Sequence, residues 1–89
     1  MKYLVHFTYK ADVSREEIAR LIPDEQARVA QLHQTGILEA VYVSKDVRQG
    51  WIILVSEDEQ QATESLQSLP LYPFWTTELI PVNAPALGQ

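Results

Sequence analysis

Lys2 to Tyr9 alternates, with Tyr3, Val5 and Phe7 on one side and Leu4 and His6 on the other. A two-residue period rich in aromatic and β-favouring residues predicts a first strand over Lys2–Tyr9. Ser14-Arg15-Glu16-Glu17 then forms a capping box, with Ser14 at the N-cap and Glu17 at the third helical position. Ile18, Leu21, Ile22, Val29 and Leu32 follow at helical spacing, and Gly36 supplies a left-handed stop. Pro23 falls inside this helix, which predicts a kink near Ile22 or a restart with Pro23 in the first turn.

Ile37–Ser44 reads as a second strand, Lys45–Gly50 as a polar turn and Trp51–Val55 as a third strand. Ser56-Glu57-Asp58-Glu59 repeats the capping-box pattern. It predicts a short amphipathic helix through Ala62, Leu66 and Leu69 that Pro70 ends. Trp75–Val82 is the fourth strand, with Pro81 marking an edge or terminus. The order β-α-β-β-α-β is the ferredoxin-like α+β unit with a four-stranded antiparallel sheet. Residues 1–82 form one such domain, and 83–89 read as a C-terminal tail. Leu87 in that tail has no evident partner in its own fold, so burial by a neighbouring subunit is expected if the tail is ordered.

Two helices cover only one face of such a sheet. Yet Trp51-Ile52-Ile53-Leu54-Val55 is apolar on both faces, and the second strand sets Leu38, Ala40 and Tyr42 opposite Val41 and Val43. The uncovered face therefore predicts a homodimer or larger homo-oligomer, two sheets enclosing a barrel-like core with a possible small-molecule pocket in each half.

Composition narrows the chemistry. The 89 residues carry a net charge of -5 and no cysteine. The seven basic residues are scattered, a poor basis for nucleic-acid binding. No apolar run approaches the length of a membrane span, and Met1-Lys2-Tyr3-Leu4-Val5-His6 lacks the pattern of a signal peptide. A cytoplasmic protein without disulfides is expected. Neither histidine has a partner at metal-ligand spacing, there is no phosphate loop, and no metal is expected.

Glu25 lies four residues after Leu21 and four before Val29, inside the apolar stripe of the first helix. A carboxylate turned toward a core is desolvated, which suits it to proton transfer. The plainer alternative is that Pro23 shifts the helix phase and leaves Glu25 solvated or paired with Arg28. His6, mid-strand among apolar neighbours, is a second candidate base, or else a satisfied interface histidine. His33, near the helix end, reads as a surface residue favourable to the helix dipole. Tyr42, Trp51, Tyr72, Phe74 and Trp75 can wall a planar ligand or serve packing alone. Glu25 and His6 are expected to share a cavity walled by Tyr42, Trp51 and Tyr72.

Leu69-Pro70-Leu71-Tyr72-Pro73-Phe74, between a short helix and the last strand, resembles the segment that the muconolactone isomerase family carries at this place. Asp24-Glu25 and Gly36 match as well, and the spacing agrees from Met1 to Val82. The resemblance implies a dimeric α+β barrel, a cofactor-independent isomerase and a small lactone-like or hydrophobic substrate. The reaction shifts a double bond by proton transfer, with no metal or cofactor. Where the isomerases place Trp, Arg and His on the second strand, this chain has Leu38, Glu39 and Ala40, and Val43 replaces another Arg. Lost cations imply a neutral or weakly acidic ligand. The alternative from another class is a non-catalytic oligomeric ligand-binding or accessory module. A buried Glu25 opening onto a cavity would favour the enzyme.

Overall fold

The computed structural model describes residues 1–83 and 85. Strands β1 (Lys2–Tyr9), β2 (Leu38–Val43), β3 (Gln49–Val55) and β4 (Trp75–Val82) alternate with helices α1 (Arg15–Gln34) and α2 (Glu59–Gln67) in the order β-α-β-β-α-β. The sheet runs β2-β3-β1-β4 with every neighbouring pair antiparallel. Both helices pack on one face, the ferredoxin-like arrangement. Among the described residues, no helix is long and apolar enough to cross a membrane.

Local chemistry sets the helix ends. Ser14 accepts a hydrogen bond from Glu17 N–H at 3.1 Å and caps α1. At the other end Gly36 takes φ 81°. Its N–H donates to His33 O at 3.1 Å, and Ile37 N–H donates to Leu32 O at 3.0 Å. Those two bonds are the Schellman pattern, closed by the apolar pair Leu32 and Ile37.

Three expectations change. Pro23 does not restart α1: one continuous helix runs through it. Pro23 and Ala19, four residues before it, both lie on an exposed side, where water can satisfy the carbonyl that Pro23 leaves without a donor. The cap of α2 is Asp58 rather than Ser56: its carboxylate accepts from Gln61 N–H at 2.8 Å. Ser56 is occupied elsewhere, donating its hydroxyl to Asp58 O at 2.6 Å. Finally, β3 begins at Gln49, so Gly50 belongs to the sheet rather than to the turn.

The helix-facing side of the sheet holds Tyr3, Val5, Phe7, Ile52 and Leu54, which form the core with Leu32, Leu66, Leu69 and Leu71. Gly50 pairs with Phe7 across β1–β3 and with Val43 across β2–β3. A Cβ at Gly50 would collide with the Phe7 ring and approach the Tyr42 carbonyl oxygen to 2.7 Å. Phe7 in turn stacks on Trp75 at 4.1 Å between ring centroids. The absent side chain at Gly50 thus seats an aromatic pair. G50A should destabilise the fold by about 1–3 kcal/mol through overpacking. Thermal melts should show a fall of several degrees, and an unchanged melting temperature would show that Phe7 can move aside.

Candidate functional site

The tail from 84 to 89 lies, apart from Pro85, outside the described residues, and the expectation for Leu87 falls there. The chemistry is concentrated between α1 and the sheet.

A cavity of about 890 Å³ lies between α1 and the helix-facing side of the sheet. The α1 wall supplies Ile18, Ile22, Glu25, Gln26, Val29 and His33, and the sheet supplies Phe7, Val41, Val43, Ile52 and Trp75. Arg15, Tyr9 and Val47 stand around it, and Leu71 contributes from the segment before β4. The lining is predominantly apolar with a few polar groups, as small-molecule pockets are.

Glu25 is the buried polar group of α1, at 9 % exposure. Its Oε1 accepts a hydrogen bond from Leu71 N–H at 3.0 Å. Loss of hydration raises the Glu25 pKa above the usual carboxylate range, and the Leu71 bond partly opposes the rise. Arg28 does not neutralise it; that guanidinium bonds Ser68 Oγ at 2.9 Å and Gln31 Oε1 at 3.1 Å. The bond that Glu25 does accept is supplied by the Leu-Pro-Leu-Tyr-Pro-Phe segment. A 3-10 turn over Tyr72–Phe74, tied by Phe74 N–H to Leu71 O at 3.0 Å, holds that segment in place.

The aromatic candidates divide between two faces. Trp75 lines the cavity, is 5 % exposed and stacks on Phe7. Its Nε1 has no hydrogen-bond partner among the described residues. Tyr72 and Phe74 pack against the core without lining the cavity. Tyr42 and Trp51 form a cross-strand pair on the opposite side of the sheet, where Tyr42 is 63 % exposed. His6 is there too, between Trp51 and Glu78 in register. Its ring stacks on Trp51 at 5.4 Å, and Nε2 meets Gln49 Oε1 at 2.9 Å. The strand alternation that buries Val5 and Phe7 turns His6 away from the helices. Glu25 and His6 therefore share no cavity within one chain, and Tyr42, Trp51 and Tyr72 do not wall the one that Glu25 lines.

Sequence reasoning passed over Arg15, Gln26 and Val47 as cavity residues, and placed His33 only on the surface. His33 is indeed exposed, but it also lines the cavity, with Nδ1 2.9 Å from Leu38 O. The available signal was helical spacing: Ile18, Ile22, Gln26, Val29 and His33 recur at three and four residues around Glu25.

The Muconolactone delta-isomerase family model matches residues 1–86. The chain belongs to this family. By sequence, no curated protein matches it. Among solved structures, a muconolactone isomerase is similar over 100% of this chain and 96% of its own, with a TM-score of 0.78 at 17% identity. A 5-chloro-2-hydroxyhydroquinone dehydrochlorinase from Burkholderia phenoliruptrix AC1100, in complex with 2,5-dihydroxybenzoquinone, is similar over 93% of this chain and 94% of its own. Its TM-score is 0.68 at 14% identity. At these identities the likeness establishes the shared fold.

The upward shift at Glu25 has a thermodynamic consequence. A carboxyl whose folded pKa exceeds its unfolded value favours the folded state below the unfolded value. That contribution is lost as pH rises through the folded value. A glutamine in place of Glu25 would keep an oxygen for Leu71 N–H and lose nothing on ionisation. E25Q should therefore be at least as stable as the parent near neutral pH, with the difference closing below about pH 4. Urea unfolding at both pH values checks this; a difference that is independent of pH would show that Glu25 is not held in a desolvating site.

Proposed function

We propose that this protein is a cofactor-independent isomerase that moves a double bond in a small, neutral, lactone-like molecule by proton transfer, with Glu25 as the base. The observation that carries the reading is a buried carboxylate opening onto an apolar cavity. A filled pocket above a solvated Glu25 would have favoured a non-catalytic binding module.

In an unsaturated five-membered lactone, the ring C–H conjugated through the double bond to the carbonyl is acidic. Glu25 takes that proton, and the electron pair delocalises onto the carbonyl oxygen as a dienolate. The protonated carboxyl returns the proton to the carbon beside the carbonyl, and the double bond has moved by one position. One carboxyl on one face of the ring can serve both steps. The raised pKa keeps proton removal and return close in energy. The Leu71 N–H fixes one carboxyl oxygen and leaves the other for the proton. Arg15, Gln26, the Tyr9 hydroxyl and the Trp75 Nε1–H, unpartnered among the described residues, are lining groups able to donate to the dienolate oxygen.

On the sheet side Val41 and Val43 present no cation to a substrate carboxylate, and the one guanidinium of the lining, Arg15, is assigned to the dienolate oxygen. β-Angelica lactone, which is neutral, should thus be preferred over anionic muconolactone. The test is isomerisation and deuterium uptake from heavy water, followed by proton NMR. E25Q should reduce exchange by about 10²–10⁴-fold. The parent rate should rise with pH through the raised Glu25 pKa, since the base is the ionised form. Full exchange in E25Q would remove Glu25 from the chemistry.

The second part of the reading is assembly. Leu4, Trp51, Ile53, Tyr42 and Ile80 lie on the face without helices. We place a homodimer or larger homo-oligomer across it, with Tyr42, Trp51 and His6 as contact residues and the cavities outside the seam. The cysteine-free sequence suits work in the cytoplasm. Light scattering at micromolar concentration should report at least a dimer, and W51E should release folded or partly unfolded monomers. A folded parent monomer would defeat the argument.

A further inference from the structure

We propose that Val43 and Val47 form an apolar lip that selects lactones bearing an alkyl chain, gripping the chain where it leaves the cavity. The inference rests on the lactone reading of the pocket and names the substituent that its substrate carries.

The first observation is backbone strain. Val47 sits at φ 55°, a left-handed conformation that a β-branched residue adopts only at a cost. The β2–β3 turn imposes it. Val47 N–H donates to Ser44 O at 2.9 Å, closing a four-residue turn. The Ser44 hydroxyl and Arg48 N–H both bond Asp46 Oδ1, at 2.6 and 3.1 Å. A left-handed residue in the last position of such a turn is ordinarily Gly or Asn. Valine here gains little from its own fold, because it is 64 % exposed.

The second observation is placement. Val47 lines the cavity with Val43, which is 51 % exposed. Val43 pairs with Gly50, and Val41 with Ile52, so both point to the helix-facing side. A dimer through the opposite face leaves them open. Exposed branched side chains at a cavity mouth, one of them strained, fit an apolar group that emerges from the pocket.

Two saturated lactones that Glu25 cannot isomerise, γ-valerolactone and γ-decalactone, differ only in alkyl length and serve as probes. By calorimetry the parent protein should bind γ-decalactone at least about tenfold more tightly, from two or more buried methylenes at about fourfold each. V47N should raise the melting temperature, because Asn accepts the left-handed region, yet weaken γ-decalactone about fivefold. V43T, which keeps the shape and replaces a methyl by a hydroxyl, should weaken γ-decalactone by a larger factor than γ-valerolactone, at an unchanged melting temperature.

Equal affinity for the two lactones, or binding of neither, overturns the lip. So does a fall in melting temperature in V47N. If both variants keep lactone affinity but change the oligomer in light scattering, the valines belong to a subunit contact and the proposal fails. Chain-length discrimination without exchange of β-angelica lactone leaves the lip standing and defeats the Glu25 chemistry. Exchange without discrimination does the reverse.

Discussion

The hydrogen bond from Leu71 N–H to Glu25 Oε1 joins the middle of α1 to the segment that enters β4. A carboxylate at this depth is costly unless it has a donor, and the N–H of buried Leu71, in the turn between α2 and β4, needs an acceptor. Each satisfies the other. Around this contact Leu69 and Leu71 pack into the core, and Pro70 and Pro73 bracket the chain so that it cannot continue as a helix. One bond thus fixes the helix against the last strand and leaves a desolvated oxygen toward the cavity.

The cavity depends on that spacing. Phe7, Ile52 and Trp75 form its floor and Ile18, Ile22 and Val29 its roof. The floor is rigid because Phe7 is wedged against Gly50 and stacked on Trp75, with Tyr9 meeting both rings edge-on. Aromatic rings at these distances add packing energy beyond their buried area. Such walls limit the hydration of the Glu25 carboxyl, which is the cause of its raised pKa.

The sheet separates two tasks by the alternation of its side chains. Odd-numbered residues of β1 build the core and the cavity, while even-numbered ones, with Trp51 and Tyr42, build an aromatic surface that neither α1 nor α2 covers. His6 belongs to the second set. Its stacking on Trp51 and its bond to Gln49 satisfy it within that surface, which accounts for a histidine among apolar neighbours without assigning it to the cavity.

Features governed by local periodicity were legible in the sequence. The bounds of β1 and β4, the Ser14 cap and the Gly36 stop each depend on residues within a few positions of one another. The stripe of α1 also put Glu25 on the apolar face, because helical spacing decides which residues share a face, while the choice between a buried carboxylate and one solvated by a phase shift at Pro23 fell to the tertiary structure. The sequence could not show which face of β1 the helices would cover, and so which side His6 would take; that choice follows from register and packing across distant segments. It could not show that Leu71, 46 residues away, would supply the donor to Glu25. Nor could it tell Asp58 from Ser56 as the cap of α2, since both carry an oxygen at suitable spacing and the end of β3 decides between them. Gly50 read as a turn residue because glycine is common in turns. Only the tertiary structure, with the Phe7 ring occupying the space a side chain would fill, gives it its place in the sheet.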